Sequence, residues 1–255
     1  MVELKTDAEL ALMREAGRVT ANALAAARDA AAVGVSLREL DEAAHEVIRK
    51  AGATSPFLHY QPHFAPSPFP AVICASVNDV VVHGIPDDYR LREGDLLSVD
   101  CGAKLNGFAG DSAFSMIIGQ PREADATLIK HAEEALAAGI DAARVGNRLG
   151  DIGHAVGSIG RAAGYGIPAD FGGHGVGREM HEDPGVPNDA PAGRGMRLRP
   201  GLVLAIEPMF MAGGRDRYRT APDGWALCTV DGSRAAHVEH TIAVTPDGPV
   251  ILTAQ

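Results

Sequence analysis

Five side chains of metal-ligating type lie in apolar or glycine-rich stretches of the 255-residue sequence. They are Asp100, Asp111, His174, Glu207 and Glu239. A lone charge is costly to bury, so carboxylates in such surroundings need partners. Four carboxylates and one imidazole suit Mn, Fe, Co or Zn better than Ca. Five ligands exceed the three that one open catalytic zinc ion takes, whereas two ions bridged by shared carboxylates would use all five. The sequence therefore predicts a centre for two divalent metal ions.

Asp100 and Asp111 lie on either side of the dipeptide Asn106-Gly107. Asn-Gly is the strongest short-range signal for a two-residue hairpin turn, because both central residues need positive φ. A hairpin centred there places Asp100 opposite Ala113 and puts Asp111 two residues away on the same face. The two aspartate Cα atoms are then about 7–8 Å apart. Carboxylates this close repel each other unless they share a proton or bind a cation.

Two further histidines have surroundings that favour catalysis. His83 lies in a turn between two strand-like segments, and His181 follows shortly after His174. Each can donate to a substrate carbonyl or to a leaving amide, although either alone is also typical of a turn or surface residue. The other histidines are expected at the surface or in packing, with His63 able to reach a pocket from its loop. They are His45, His59, His63, His131, His154, His237 and His240.

Helices and strands that would position these side chains are visible as local patterns. Capping boxes at Thr6–Glu9 and Ser36–Glu39 predict the starts of two helices. Further helices are predicted over 121–144 and 148–163, and a strand-like segment covers 71–82. Residues 55–70 are rich in Pro, His and Phe and predict an irregular loop.

The chain also contains an internal repeat. The segment 33–37 before the second helix resembles 145–149 before the fourth, and His83-Gly84-Ile85 resembles His174-Gly175-Val176. The segment LREGDLLSVD (91–100) matches LRPGLVLAIE (198–207). These matches predict two pseudo-symmetric halves, roughly 1–120 and 121–255, that bring their acids and histidines to a shared centre.

Composition restricts the class of protein. A net charge of −10 argues against general binding to nucleic acid or to an anionic membrane. The three cysteines, without CxxC spacing, fit a reducing cytosol better than a disulfide framework. We find no secretory leader and no apolar run that would cross a bilayer. We therefore expect one cytoplasmic domain over residues 1–255.

Several motifs together resemble the type I methionine aminopeptidases, and the likeness covers nearly the whole chain. The motifs are SVNDVVVHGIPDD (76–88), the paired aspartates, GGHGVGREMHEDP (172–184), LRPGLVLAIEPM (198–209) and DGWALCTVDGSRAAHVEHTIAV (223–244). The resemblance implies the pita-bread fold, an α/β (α+β) architecture with pseudo-twofold halves around a curved, mainly antiparallel sheet. It also implies removal of the initiator methionine from nascent chains whose second residue is small, by a metal-bridged hydroxide that attacks the first peptide carbonyl.

The resemblance further implies a role for each site residue. Asp100 and Asp111 would bind one metal ion, His174 and Glu207 the other, and Asp111 and Glu239 would bridge the two. Glu207 would also carry the proton of the nucleophilic water. His83 would contact the scissile amide nitrogen, and His181 the carbonyl oxygen. The methionine pocket would be lined by Tyr60, Phe69, Cys74, Met180 and Trp225.

The sequence departs from the family pattern at a few positions. The proline-rich loop 61–68 is longer than usual, Met180 replaces a common aromatic residue, and Gly102 replaces a frequent threonine. These changes concern the shape of the pocket rather than the metal ligands.

Two alternative functions and one surface need tests. A related pita-bread peptidase would cleave before proline, but such enzymes usually carry a large amino-terminal domain. A non-enzymatic binding module would be expected to have lost ligands. Six arginines near the Glu207 strand either dock transiently on the ribosome or are solvated loop residues: Arg194, Arg197, Arg199, Arg215, Arg217 and Arg219. We expect a monomer.

Overall fold

The computed structural model describes residues 2–63 and 65–255. Within these residues four helices occur as two packed pairs, and strands follow each pair in the chain: α1 (Asp7–Ala30), α2 (Leu37–Lys50), α3 (Glu123–Ala142) and α4 (Leu149–Ala162). Thr6 and Ser36 cap α1 and α2 as predicted, because each hydroxyl accepts the N–H of the glutamate three residues later. The predicted span 121–144 overestimates α3 by two residues at each end.

Thirteen strands occur in the same described residues. They are β1 (Ile73–Val77), β2 (Val80–Val82), β3 (Leu96–Leu105), β4 (Phe108–Ile117), β5 (Gly173–Gly175), β6 (Glu182–Val186), β7 (Val203–Ile206), β8 (Met209–Met211), β9 (Tyr218–Thr220), β10 (Leu227–Thr229), β11 (Ala235–His237), β12 (Glu239–Thr245) and β13 (Gly248–Ile251). The central sheet has the order β1-β3-β4-β12-β7-β5-β6, with β13 paired to β12. Two smaller sheets have the orders β2-β10-β9 and β11-β8.

The prediction of one strand over 71–82 is wrong, because the chain turns between β1 and β2. Asn78 has a positive φ of 58°. Its amide holds this conformation: Nδ2 donates to Asp95, and Oδ1 accepts the N–H of Leu96. The turn sends β1 into the central sheet and β2 into a smaller one, so that His83, which follows β2, lies apart from the sheet that carries the acids.

The hairpin of β3 and β4 has the predicted register. Asp100 pairs with Ala113, and the pairing runs without a shift from Leu96–Ile117 to Leu105–Phe108. Asn106 and Gly107 both have positive φ, 52° and 82°, as a two-residue turn of this kind requires. The local signal in the sequence was therefore sufficient to determine which residues of the two strands face each other.

The internal repeat is visible in the backbone hydrogen bonds. Gly34 donates to the carbonyl of Leu91, and at the matching place Gly146 donates to that of Leu198. Isolated bridges join Ser36 with Arg90 and Arg148 with Arg197 in the same way. Each helix pair is thus attached by equivalent bonds to the segment that leads into its acidic strand.

The helices cover one face of the central sheet and leave the other to the acids. Val99 and Cys101 belong to the apolar cluster under α1 and α2, and Ile242 belongs to the cluster under α3 and α4. Because side chains alternate along a strand, Asp100 and Glu239 project from the opposite face. None of the helices in the described residues combines the length and apolar character needed to cross a bilayer.

One close approach seats α1 on the sheet. A Cβ on Gly110 would lie 2.9 Å from the Cα of Gly17, so only glycines allow the backbones of α1 and β4 to come this near. Thr20, one turn further along α1, donates from its hydroxyl to the carbonyl of Gly110. This contact holds α1 against the helix-covered face of β4, the strand that carries Asp111.

Candidate active site

The five predicted ligands come together on the helix-free face of the sheet. Asp100, Asp111 and Glu239 lie on the adjacent strands β3, β4 and β12, and both Asp100 and Glu239 pair with Ala113. His174 is in the middle of β5, and Glu207 directly follows β7. All five line one cavity, together with His83 and His181. The structure thus brings together the side chains that the sequence selected from both halves of the chain.

Distances between the ligand atoms are short. Nε2 of His174 lies 3.6 Å from Oδ2 of Asp111 and 3.6 Å from Oε1 of Glu207. Asp111, His174 and Glu239 each place one ligand atom within 4.8 Å of the others. Among the described residues, no lysine or arginine forms an ion pair with any of the four carboxylates, and the ion-pair partners of Asp111, Glu207 and Glu239 are histidines.

The carboxylates have oxygen atoms that the described residues leave without hydrogen bonds. Oδ1 of Asp100, Oδ1 of Asp111 and Oε1 of Glu239 are all buried in this state. Burial, reinforced by the neighbouring carboxylates, raises the pKa of Asp100 and of Glu239 well above the ordinary range. Unpartnered buried oxygens in a cluster of like charge are the environment that a divalent cation stabilises. The residues therefore fit the predicted metal centre.

His174 responds to the same negative surroundings. Burial alone would lower its pKa, but the adjacent Asp111 carboxylate and the charge of Glu207 raise that pKa to about 9. Its Nδ1 lies 2.9 Å from the carbonyl oxygen of Gly175. A donor bond there leaves Nε2 directed at the two carboxylates, which is how a metal-binding imidazole is commonly oriented.

His83 and His181 are uncharged donors beside the acidic cluster. Desolvation in the cavity lowers the pKa of each to about 4, although His83 is only partly buried and the His181 residue is exposed at its outer edge, and the charge of His174 contributes at His181. The His181 ring lies 4.4 Å from that of His174, centre to centre. The His83 ring packs edge-on to Phe171 and Trp225, at 5.8 and 6.5 Å. Neutral imidazoles can each donate one hydrogen bond to a substrate at neutral pH.

Comparison with known proteins agrees with this geometry. A profile of metallopeptidase family M24 matches residues 11–246. Methionine aminopeptidase 1 of Mycobacterium tuberculosis is 50% identical over 260 residues, which span 99% of this chain and 95% of that protein. The methionine aminopeptidase of Clostridium acetobutylicum is 45% identical over 99% of both chains. This chain belongs to the methionine aminopeptidase family.

Solved structures confirm the pita-bread fold that the family resemblance implied. The crystal structure of methionine aminopeptidase from Thermotoga maritima matches all of both chains with a TM-score of 0.95 and 38% identity. A prolidase from Pyrococcus furiosus, 23% identical with a TM-score of 0.77, shares the fold alone, and the match covers 65% of its chain. As a member of a metallopeptidase family, the chain has a divalent metal site.

The apolar wall of the cavity differs in part from the one that the family resemblance implied. Tyr60, Phe69, Cys74 and Trp225 line the cavity as predicted. Phe57, Phe171 and Met209 line it too, and sequence reasoning missed all three, since nothing in their spacing distinguishes them from ordinary apolar residues.

Met180 is not among the residues that line the cavity. It is buried, and its terminal methyl group fills the space above Gly102, where a Cβ would lie 2.1 Å from that carbon. Two departures from the family pattern are therefore in contact: Gly102, which has no side chain, leaves the space that the flexible side chain of Met180 fills.

His237 was expected at the surface or in packing, and the structure buries it beside the acidic cluster. Its ring is buried, with Nε2 at 3.5 Å from Oε2 of Glu207 and 4.0 Å from Oε2 of Glu239. The available signal was closeness in the chain, because His237 ends β11 and Glu239 begins β12, with one residue between them. Exposed His63, by contrast, is not among the residues that line the cavity.

Proposed function

We propose that this chain removes the amino-terminal methionine from nascent polypeptides and peptides whose second residue is small. The observation that carries the proposal is the convergence of four carboxylates and one histidine, with unpartnered buried oxygens, beside a cavity walled by aromatic side chains. The full-length similarity to proteins named methionine aminopeptidase supports the same conclusion.

Two divalent ions would be held by the five ligands. Asp100 and Asp111 would bind one ion, His174 and Glu207 the other, and Asp111 and Glu239 would bridge them. Co, Mn, Fe or Zn fit this set of oxygen and nitrogen donors. When bound, such a pair lowers the pKa of a coordinated water and stabilises negative charge that develops on oxygen.

Side chains of the protein would bind and orient the substrate. The aromatic residues Phe57, Phe69 and Trp225 line the cavity, contact one another through Phe69 and would enclose the methionine side chain. The Tyr60 ring lies 5.4 Å from that of His181 and is tilted by 30° to it. His181 would donate to the carbonyl oxygen of the first peptide bond, and His83 would contact the amide nitrogen of that bond. Glu207 would accept the proton of the attacking water and pass it to the leaving amine.

A peptide comparison tests the proposal. Met-Ala-Ser and Ala-Pro-Pro are incubated with protein loaded with Mn or Co, and release of the first amino acid is followed by chromatography. We expect methionine release from Met-Ala-Ser, and loss of that release on replacement of the second residue by Lys. Preference for Ala-Pro-Pro would assign the chain to the proline-directed peptidases that share the fold, and cleavage of neither peptide would contradict an enzymatic role.

The cellular setting completes the proposal. We infer that residues 1–255 act as a single catalytic domain, a cytoplasmic monomer that meets its substrates near the ribosome. Of the six arginines considered for ribosome contact, Arg215 lies 3.7 Å from Asp231 and Arg219 lies 3.4 Å from Asp79. Because Arg215 and Arg219 are paired with these acids, the structure favours the interpretation of both as solvated loop residues over ribosome contact. Co-sedimentation with ribosomes that is unchanged after Arg→Glu at 215, 217 and 219 would remove docking at this surface.

A further inference from the structure

The carboxylate of Glu207 lies between two histidines, one on each oxygen. Oε1 is 3.6 Å from Nε2 of His174, whereas Oε2 is 3.5 Å from Nε2 of His237. The proposed function uses His174 as a metal ligand and gives His237 no role. The contact on Oε2 therefore needs an explanation of its own.

His237 is held firmly where it stands. Its backbone N–H lies within hydrogen-bond distance of the hydroxyls of Ser98 and Ser115, at 3.3 and 3.1 Å. Its carbonyl accepts from the Ser115 hydroxyl at 2.8 Å. These bonds attach the end of β11 to β3 and β4, the strands that carry Asp100 and Asp111. The backbone that carries the imidazole is therefore held in a fixed position relative to the metal ligands.

The ring nitrogen of His237 that faces the acids lacks a hydrogen-bond partner in the described part of the chain. Nε2 of His237 is buried without a hydrogen bond among the described residues, and the ring is 2% exposed. The charged groups within 4 Å of this nitrogen are the carboxylates of Glu207 and Glu239. Leaving a buried donor unsatisfied is unfavourable, so simple packing does not account for a histidine at this place.

We propose that His237 is a positioning residue for Glu207, an inference that rests on the proposed function and deepens it. The Nε2–H of the imidazole, which lies 3.5 Å from Oε2 of Glu207 without a hydrogen bond in this structure, would close on that oxygen and donate to it. That bond fixes the plane of the carboxylate and keeps Oε1 directed toward the His174 side, where the metal ions and the water would be. Partners of this kind orient ligands, and their loss typically costs about 10–100-fold in metal affinity or activity.

Two substitutions separate donation from packing. His237→Phe keeps a ring of similar size and removes the donor, whereas His237→Gln removes the ring and keeps an amide donor. His240→Phe is the matched control, because His240 lies near His237 in the chain but on the α3 side of the sheet, where its Nδ1 lies 2.9 Å from the Thr253 hydroxyl. Thermal unfolding of each variant shows whether it is folded, and His237→Leu serves as a second variant without a donor if the Phe variant is not.

The test measures kcat and KM of wild type and each variant for Met-Ala-Ser, and titrates Co²⁺ calorimetrically into each metal-free protein. For His237→Phe we expect kcat to fall about 10–100-fold with KM within about twofold, and Co²⁺ to bind with unchanged stoichiometry and about tenfold lower affinity. His237→Gln should restore kcat to within about threefold of wild type. The visible spectrum of the Co²⁺-loaded protein should keep its band positions in the Phe variant, since no ligand is lost.

Three results would overturn the proposal. Wild-type kcat and Co²⁺ affinity in His237→Phe would make the residue a packing group. Loss of a bound Co²⁺ ion with a changed visible spectrum would make it a metal ligand. Equal loss in the Gln and Phe variants would show that donation is not what matters. If the wild type does not cleave Met-Ala-Ser at all, the proposed function fails, while the Co²⁺ titration still decides the role of His237.

Discussion

Oδ2 of Asp111 lies 3.6 Å from Nε2 of His174, although two strands, β12 and β7, stand between the strands that carry them. Three strand spacings in a flat sheet would separate β4 and β5 by roughly 14 Å. The sheet therefore curves, with the site on its concave side, and side chains from both halves of the chain reach a common centre. The curvature of the sheet brings five residues that are distant in the sequence into one cluster.

The first prediction concerns Glu239, whose buried carboxylate has a raised pKa. Burial is the main cause, and Asp111, Glu207 and Asp100 add to it. In metal-free protein, Glu239→Gln removes this repulsion and should raise the free energy of unfolding by on the order of 1 kcal/mol. In the presence of Mn the order reverses, because the wild type gains about 3 kcal/mol from ions at a hundredfold excess over Kd and the variant gains less.

Denaturant unfolding with chelator and with Mn measures this reversal. Asp247→Asn, at an exposed acid, is the control and should change neither value. If Glu239→Gln and wild type respond equally to Mn, Glu239 is not a ligand.

The second prediction concerns His83, which is partly buried and packs against Phe171 and Trp225. His83→Ala should lower kcat for Met-Ala-Ser about 10²–10⁴-fold, because a donor to the reacting amide is lost. Since the pKa of His83 is lowered to about 4 by burial, its protonation should not affect the wild-type rate between pH 6 and 8. Metal content measured by atomic emission should equal that of wild type and of the exposed control His154→Ala. Normal turnover in the variant would remove His83 from the mechanism.

The third prediction concerns the ion pair of Lys5 and Glu182, at 3.0 Å, in which the Lys5 side chain is 1% exposed. Lys5→Met keeps the aliphatic stem and leaves Glu182 without its cation. We expect a loss of about 2–3 kcal/mol in the free energy of unfolding, less than for a fully enclosed pair, because Glu182 also accepts the N–H of Glu179. Urea unfolding at pH 7 measures the loss, and an unchanged value would show that the pair contributes nothing.

The same pair predicts a dependence on pH. Burial would raise the pKa of Glu182, but the Glu179 N–H and the Lys5 ammonium outweigh it and lower that pKa below its ordinary value of 4.5. The stabilisation is therefore complete above pH 4.5 and is lost as the pH falls through the lowered pKa. Unfolding free energies between pH 7 and pH 3 should fall less in Lys5→Met than in wild type, and parallel curves would contradict the assignment.

The fourth prediction concerns Gly102 and Met180. A Cβ at position 102 would lie 2.1 Å from Cε of Met180 and 3.0 Å from Cε1 of Phe57. Gly102→Ala should therefore cost about 1–3 kcal/mol of stability through overpacking, and it should raise KM for Met-Ala-Ser because Phe57 lines the cavity. Met180→Ala combined with Gly102→Ala removes the side chain that the new Cβ would meet. The double variant should therefore recover part of the lost stability and part of the increase in KM. Additive effects in the double variant would show that the two positions are independent.

Local patterns in the sequence determined much of the fold. Asn106 and Gly107 set the β3–β4 register, because their preference for positive φ acts over two residues, and Thr6 and Ser36 set the helix starts through hydroxyl caps. The repeat predicted that the acids of the two halves would meet, and the structure brings Asp100, Asp111, His174, Glu207 and Glu239 to one cavity.

Only the tertiary structure decided the contacts between segments that no local rule relates. The position of His237 against Glu207 depends on bonds from its backbone to Ser98 and Ser115, far away in the chain. Met180 is absent from the cavity wall, and its terminal methyl group packs instead against Gly102, which is distant in the chain. The distances between these residues depend on the curvature of the sheet and on side-chain packing, and both result from many weak interactions across the whole domain. Turns and helix caps, by contrast, are determined by the conformational preferences of a few adjacent residues.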